Sequence, residues 1–451
     1  MVVAGLTPSE WDVTIIDENR GIPNYDEMPP PDLVGITSFT SQANRAYEIA
    51  AYFRGLDVKV VMGGVHATMC LEEALEHVDV VVTGEAESVW GDVVRDAQTG
   101  DLNRVYSGSA QQMGGVPPPR HDLLSEGYGS GSIQTARGCP LNCTFCSVTA
   151  FNGGLYRHRP IDEVVEEFKL IREKWVLIVD DNLIGTRDDH IARAKKLFRA
   201  MIDAGIKKNW VAQVTINIAD DEELLSLAAK AGCLAVFVGF ESPNEAGLKE
   251  INKRFNLQKG RDFKESIRKI HRHGILVTGS FIMGLNSDEP GIGLEIAKSA
   301  SRYGVDLLNA LILTPLPGTK LWEKMVSENR IAANSFPQDW KHYTLTFPVA
   351  SFNNFSWSEI VAEVESCNRA FFKYSRIVRR LIRPLWRLPK IASIILNIAT
   401  NFGCRNNGVR NFHKRFEGVD MSRGDIVRTV ELTPPTPTAA SSNLPVEKAP
   451  E

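Results

Sequence analysis

Short apolar runs alternate with segments of helical spacing over residues 12–96, the pattern of a parallel α/β unit in which each buried strand leads into an amphipathic helix. The runs fall at 13–17, 33–38, 58–64 and 78–83, and the helical spacing at 42–54 and 85–95. The strands end in Thr37 and Ser38, in Gly63 and Gly64, and in Gly84 and Glu85; in open α/β sheets these carboxyl ends form the ligand-binding edge. Residues 98–131 read as a connector, marked by Gly114-Gly115 and the prolines at 117–119. A second alternation follows, with strands expected at 132–135, 176–180, 211–216, 234–239, 276–283 and 307–313. Helices are expected between them at 161–174, 188–204, 221–231, 262–273 and 293–303. Six such units predict a partial (β/α) barrel rather than a closed eightfold one.

Beyond Pro317 the pattern weakens, and over 375–416 Arg and Lys interleave with Ile, Leu and Trp. Residues 433–451 are rich in Pro, Ser, Thr and Ala and read as a disordered tail. The organisation expected is an α/β unit at 1–110, a linker at 111–131, the barrel at 132–330, a helical, basic region at 331–416 and a tail at 417–451.

Lys and Arg number 51 against 55 Asp and Glu, so the net charge of -4 provides no general attraction to nucleic acid. No apolar run reaches the length of a bilayer span, and the first residues lack the order of a secretory signal, which makes the cytoplasm the expected compartment. Seven cysteines, three of them within eight residues, argue against a disulfide framework and for a metal or redox site.

That triplet is Cys139, Cys143 and Cys146 in RGCPLNCTFC (137–146), directly after an expected strand. Soft thiolates suit iron and sulfide, and a short CxxxCxxC loop brings three sulfurs to one cluster. Three ligands for four irons leave one iron open to chelate an amino and a carboxylate group. The alternatives are a structural zinc loop, which needs a fourth ligand, and three buried thiols without metal; zinc sites usually show a second cysteine pair, and none is present.

With YRHRP (156–160), VDDNLIG (179–185), VGFES (238–242) and GSFIMG (279–284), the triplet resembles the radical S-adenosylmethionine (SAM) superfamily. The likeness is to the subgroup with an N-terminal cobalamin-binding domain, the class B methylase-like, hopanoid and bacteriochlorophyll type, and it covers about residues 10–350. It implies a Rossmann-like cobalamin domain, a radical SAM partial (β/α)6 barrel, and a [4Fe-4S] cluster that cleaves SAM reductively. Phe145 would then lie near the adenine. Asp180, Asp181 and Asn182 would meet the SAM amine, and Glu241 and Ser242 its ribose and methionine end. Ser280, Met283 and Thr314 would line the site from the last two strands. Each has a plainer reading beside it: Asp and Asn at strand ends often cap helices, and Glu241 reads equally as a paired barrel charge. Arg157 and Arg159 read either as partners of a carboxylate or of the cluster, or as surface ion pairs.

The resemblance also places Thr37, Ser38, Gly63, Gly64, Val65, His66, Gly84, Glu85 and Glu87 in turns that contact cobalamin. The DxHxxG motif that supplies a lower cobalt ligand in some cobalamin proteins is absent, since residues 17–21 read DENRG; His66 then reads as a loop histidine rather than a cobalt ligand. The relatives' domain starts with a strand and helix ahead of the matched region, and Met1 falls inside that helix, so a sheet short of its first strand is expected.

The reaction implied is methyl transfer to a carbon, with radical cyclisation or rearrangement as the rival. A methylthiotransferase would need three more upstream cysteines, and only Cys70 is there. A cluster protein that only carries electrons stands outside the enzyme reading. The partners implied are a small-molecule, lipid or tetrapyrrole-like substrate and a one-electron reductant such as flavodoxin or ferredoxin. The stretch 376–387 (RIVRRLIRPLWR) reads as a peripheral membrane contact or as a helix over the barrel mouth. Trp340, Tyr343 and Phe347 read as cavity or core residues.

Overall fold

The N-terminal sheet has four parallel strands in sequential order, β1 (Leu33–Thr37), β2 (Lys59–Gly63), β3 (Val80–Thr83) and β4 (Val105–Ser107). This structure is a computed structural model that describes residues 1–385 and 391–410 together with residues 412, 416, 421 and 422. The expected tail at 417–451 therefore lies outside the described residues apart from Met421 and Ser422. Strand β3 is buried throughout, as a Val-rich strand covered on both faces must be. Helix α1 (Ala43–Arg54) buries Ala43, Ala46, Tyr47, Ala50 and Phe53, a stripe at three- and four-residue spacing. Residues 85–95 fold as a turn at Ala86–Ser88 followed by α2 (Trp90–Thr99).

Two readings of this region are corrected. Residues 13–17 form no strand, and a helix at Val2–Leu6 precedes the sheet instead. The alternation there is real, with Trp11, Val13 and Ile15 half-buried and Asp12, Thr14 and Ile16 exposed. One-sided coverage produces such a pattern whether or not a neighbouring strand pairs with it. The connector expected at 98–131 contains β4, whose three residues are too short for a periodic signal.

The second sheet has six parallel strands, also in sequential order: β5 (Gly131–Ile133), β6 (Trp175–Ile178), β7 (Asn209–Gln213), β8 (Cys233–Glu241), β9 (Leu276–Met283) and β10 (Leu307–Ile312). Strands β5 and β10 end the ladder without pairing with each other, so the barrel is open. Between the strands lie α3 (Ile161–Leu170), α4 (Asp188–Asp203), α5 (Glu222–Lys230), α6 (Phe263–Arg272) and α7 (Ile292–Tyr303), each within a few residues of its expected position. Parallel order puts the carboxyl ends of all six strands at one end.

Past the barrel come α8 (Trp357–Phe371), α9 (Tyr374–Leu385) and α10 (Ile391–Arg405). Trp340, Tyr343 and Phe347 are buried with Trp322 and Trp357 in the core that joins this region to the N-terminal sheet, so packing is their role. The Trp340 indole donates to Glu73 at 2.9 Å.

The turn after β9 holds a buried carboxyl group. Asp288 accepts from the backbone N–H groups of Gly284 and Leu285, each at 3.0 Å, while its Oδ1 has no partner. Burial, with Glu250 and Glu295 nearby, pushes this carboxyl up to about 7. The folded chain thus keeps a proton that the unfolded chain releases near the ordinary value of 3.8, so this group's contribution to stability falls as pH rises from about 4 to about 7. Asp288→Asn is expected to flatten that slope. Unfolding free energies from urea titrations should match the parent near pH 4 and exceed it near pH 8, by roughly 1–3 kcal/mol.

Candidate functional site

The three cysteines lie on a loop that leaves the strand-end face of the barrel just past β5. Its entry is a tight turn: Gly138 sits at φ +89°, where a Cβ would collide with the Leu155 carbonyl, and its N–H donates to Asp181 at 2.8 Å. The middle of the loop is tied to distant segments. Thr144 N–H donates to the Ile251 carbonyl at 3.2 Å, the Asn252 amide to the Asn142 carbonyl at 2.7 Å, and Leu321 N–H to the Thr144 carbonyl at 2.9 Å. A short helix, Ser147–Asn152, begins directly after Cys146.

Cys143 is buried and Cys139 and Cys146 are partly so, and none is in a disulfide. Among the described residues no three His, Cys, Asp or Glu side chains converge on one metal-ion position. Burial pushes the Cys143 thiol up to about 12 and raises Cys139 as well, so both need a cationic partner to exist as thiolates.

One such cation is Lys253. Its ammonium lies 3.2 Å from Glu241 and interacts with the sulfurs of Cys143 and Cys139. Burial opposes its charge, but the Glu241 carboxylate and the two thiols outweigh that and raise its pKa. Glu241 ends β8 at a bulge, with φ +65°, a region that non-glycine residues seldom occupy. The Asn256 amide holds the same bulge by donating to the carbonyls of Gly239 and Phe240. A Cβ at Gly239 would meet the Glu241 carboxylate and push it from its present place.

The remaining expected SAM contacts divide. Asp180 is wholly buried and accepts from Thr135 N–H at 2.5 Å and Thr135 Oγ1 at 2.6 Å, and burial pushes it up to about 6, so both oxygens are occupied inside the fold. Asp181 accepts from Gly138, and the Asn182 amide reaches Thr215 Oγ1 at 3.3 Å and lies 3.9 Å from the Cys139 sulfur. Ser242 Oγ accepts from Asn244 N–H at 3.1 Å. Ser280 and Met283 are buried on β9, and the Thr314 hydroxyl returns to the Ile312 carbonyl at 3.0 Å. Phe145 is half-buried against the core that includes Leu321 and Trp322.

The N-terminal sheet turns its own carboxyl edge toward this face. Glu85 pairs with Arg157 and, at 3.1 Å, with Arg137, and Glu87 pairs with Arg137 at 2.8 Å. Both carboxylates are therefore engaged with the barrel, and Arg157 is an interdomain partner rather than a surface charge. Arg159 pairs with Glu167 of α3. His66 is fully buried, its Nε2 2.9 Å from the Tyr47 hydroxyl and 3.3 Å from Glu73, and so sits within the packing. Gly64, at φ +92°, lets the chain pass beside Thr37 and Ser38, where a Cβ would lie 2.6 Å from Thr37 Oγ1. The buried Ser38 Oγ has no partner, and the neighbouring Phe39 is 66% exposed. An orphaned hydroxyl beside an uncovered flat ring fits a large ligand with an apolar face and amide groups, as a corrinoid has.

Sequence reasoning missed three of these features. Lys253 follows Asn252 without any motif to mark it, Phe39 looks like an ordinary core aromatic, and the pairing of Arg137 with Glu85 and Glu87 joins residues about 50 apart.

Comparison with known proteins gives the same division. Residues 133–291 match the Radical SAM superfamily and residues 1–94 match the B12 binding domain. The chain is 28% identical over 390 residues to the bacteriochlorophyllide d C-12(1)-methyltransferase of Chlorobaculum tepidum, covering 84% of this chain and 83% of that protein. It is 28% identical to the hopanoid C-2 methylase of Rhodopseudomonas palustris, over 73% of this chain and 64% of that one. Its fold resembles the cobalamin-dependent SAM radical enzyme OxsB, solved with aqua-cobalamin and SAM bound, with a TM-score of 0.59, 13% identity, and coverage of 84% of this chain and 63% of that one. A cysteine loop at one strand-end face and a B12-type sheet edge turned toward it are thus combined in one chain, whose residues 133–291 form a domain of the Radical SAM superfamily behind a B12 binding domain at residues 1–94.

Proposed function

We propose that this chain is a cobalamin-dependent radical SAM methyltransferase that adds a methyl group to a carbon centre of a small, largely apolar molecule. The observation that carries this reading is the grip of Glu85 and Glu87 on Arg137, two residues before Cys139, which binds the B12-type edge to the start of the cluster loop. Two cofactor edges fastened to one another are what a reaction needing both requires. When bound, the cluster supplies the electron that splits SAM and the corrinoid carries the methyl group.

The chain's own residues hold and orient these groups. Cys139, Cys143 and Cys146 would ligate the cluster. Glu241, Ser242 and Asn182, with Phe145, Asp181, Ser280, Met283 and Thr314 around them, would receive SAM, whereas the Asp180 carboxylate is spent on Thr135 and acts by fixing the strand end. Thr37, Ser38, Gly63, Gly64, Val65 and Gly84, with Phe39, would meet the corrinoid face. His66, Glu85 and Glu87 would act from behind that surface, His66 from within the core and the two carboxylates through the arginines. The electron would come from a flavodoxin or a ferredoxin. Relatives named for bacteriochlorophyllide and hopanoid methylation support a polycyclic or tetrapyrrole-like substrate.

Anaerobically purified protein, reconstituted with iron and sulfide and supplied with hydroxocobalamin, dithionite and SAM, should release 5'-deoxyadenosine and retain about one corrinoid per chain. SAM cleavage without corrinoid retention would retire the methyltransferase reading in favour of cyclisation or rearrangement. Retention of a cluster with no SAM cleavage would leave only an electron carrier.

A further inference from the structure

Helix α10 is amphipathic in the opposite sense to a helix facing water. Its inner stripe is polar: Ser393, Asn397 and Asn401, spaced four apart, are 0–1% exposed. Ser393 donates to the Gly274 carbonyl at 3.2 Å, and Asn401 donates to the Asp306 and Asn397 carbonyls and accepts from Arg380 at 2.8 Å. Its outer stripe is apolar: Ile395, Ile398 and Phe402 are 42–58% exposed. Exposed large apolar side chains gathered in one stripe mark a contact surface, whereas single ones do not.

The position of this helix is set by the same bonds. Gly274 and Asp306 precede β9 and β10, and Ile394 and Leu396 pack against Ala235, Leu276 and Val211 near the starts of β7, β8 and β9. Helix α10 therefore closes the end of the barrel opposite the cysteine loop. The neighbouring α9 is fastened to it by Arg380, which also stacks on Phe371 at 3.9 Å, and by Arg405 over the Tyr374 ring at 3.9 Å. Two arginines of this basic region are thus structural. Lys373, Val378 and Arg379 face outward, while residues 386 and 387 of the expected membrane stretch lie outside the described residues.

Charge decides what the outer stripe faces. From position 366 to position 416 the sequence has no Asp or Glu, in a chain whose acidic residues otherwise outnumber its basic ones. An apolar stripe carried on a segment with basic and no acidic side chains complements an anionic lipid surface; a protein partner would need its own acidic rim around an apolar centre. No helix among the described residues is long and apolar enough to cross a membrane, so the contact is superficial. We propose that α9 and α10 dock this protein on an anionic phospholipid bilayer, with Ile395, Ile398 and Phe402 entering the headgroup boundary and Lys373 and Arg379 over the lipid phosphates. The cluster face then points away from the bilayer, so any membrane-derived substrate reaches it around the side of the barrel.

The test is anaerobic flotation of the full chain with vesicles of phosphatidylcholine alone or with phosphatidylglycerol, and it needs no turnover. The protein should float with the anionic vesicles only, and Ile395→Glu/Phe402→Glu should cut the bound fraction about tenfold or more. Lys373→Glu/Arg379→Glu should also release it, and both variants should keep the parent's circular dichroism and SAM cleavage. Failure of the parent to bind anionic vesicles would overturn the proposal, as would unchanged binding by the Ile395→Glu/Phe402→Glu protein. A parent that is dimeric by light scattering and becomes monomeric on that double substitution would overturn it too, by assigning the stripe to a second copy.

Discussion

Cys143→Ser is expected to abolish SAM cleavage, lowering 5'-deoxyadenosine release by about a thousandfold or more, because in the proposed site it would remove a cluster ligand and not merely an orienting contact. Cys143 is the most buried of the three thiols, and its loop is tied on both sides through Thr144 and Asn142. The backbone frame should therefore survive the exchange, and circular dichroism of the apoprotein should match the parent. Iron content and the absorbance of the reconstituted protein should both fall. A Cys143→Ser protein with a full complement of iron and parental SAM cleavage would remove the basis for assigning the cluster to this loop. Cys70, Cys233 and Cys367, each buried away from it, serve as controls: Cys233→Ala should leave iron content unchanged.

Lys253→Met is expected to cost about 3–5 kcal/mol of stability, because it strands the buried Glu241 carboxylate. The double change Glu241→Gln/Lys253→Met removes both charges and should recover most of that loss in urea midpoints of the apoprotein. Stability and cofactor chemistry then separate. Lys253 is also the positive charge beside Cys139 and Cys143, so in Lys253→Met the reconstituted cluster should be harder to reduce, with its midpoint potential shifted to more negative values, whereas in the double variant loss of the nearby Glu241 charge offsets part of that shift. Potentiometric titration followed by electron paramagnetic resonance measures this. A potential in the double variant no more negative than that of Glu241→Gln alone would confine Lys253 to a structural role.

Much of the barrel was legible because its strands are buried runs and its helices carry three- and four-residue spacing, two signals that local sequence states directly. Strand β9 matches its expected bounds to the residue. What the sequence could not state were features made by contact across the chain. Residues 13–17 alternate as a strand does, yet pairing needs a partner that no local pattern names. The cysteine spacing pointed to a cluster, but the ammonium beside it comes from Lys253, more than 100 positions away. Asp180 and Asn182 look equivalent in the motif, and only the fold reveals that Thr135 occupies the first and leaves the second beside Cys139. The basic stretch was visible as composition, while the end of the barrel it covers depended on Ser393 and Asn401 reaching strands far upstream.

Arg137 leads straight into the cluster loop, and the two carboxylates that hold it belong to the other sheet. At that edge the two halves of the molecule cannot part without breaking these ion pairs or dragging the segment that enters Cys139. Any movement of the N-terminal sheet at that edge is therefore passed directly to the approach of Cys139, so the two sheets are mechanically coupled through the Arg137 guanidinium.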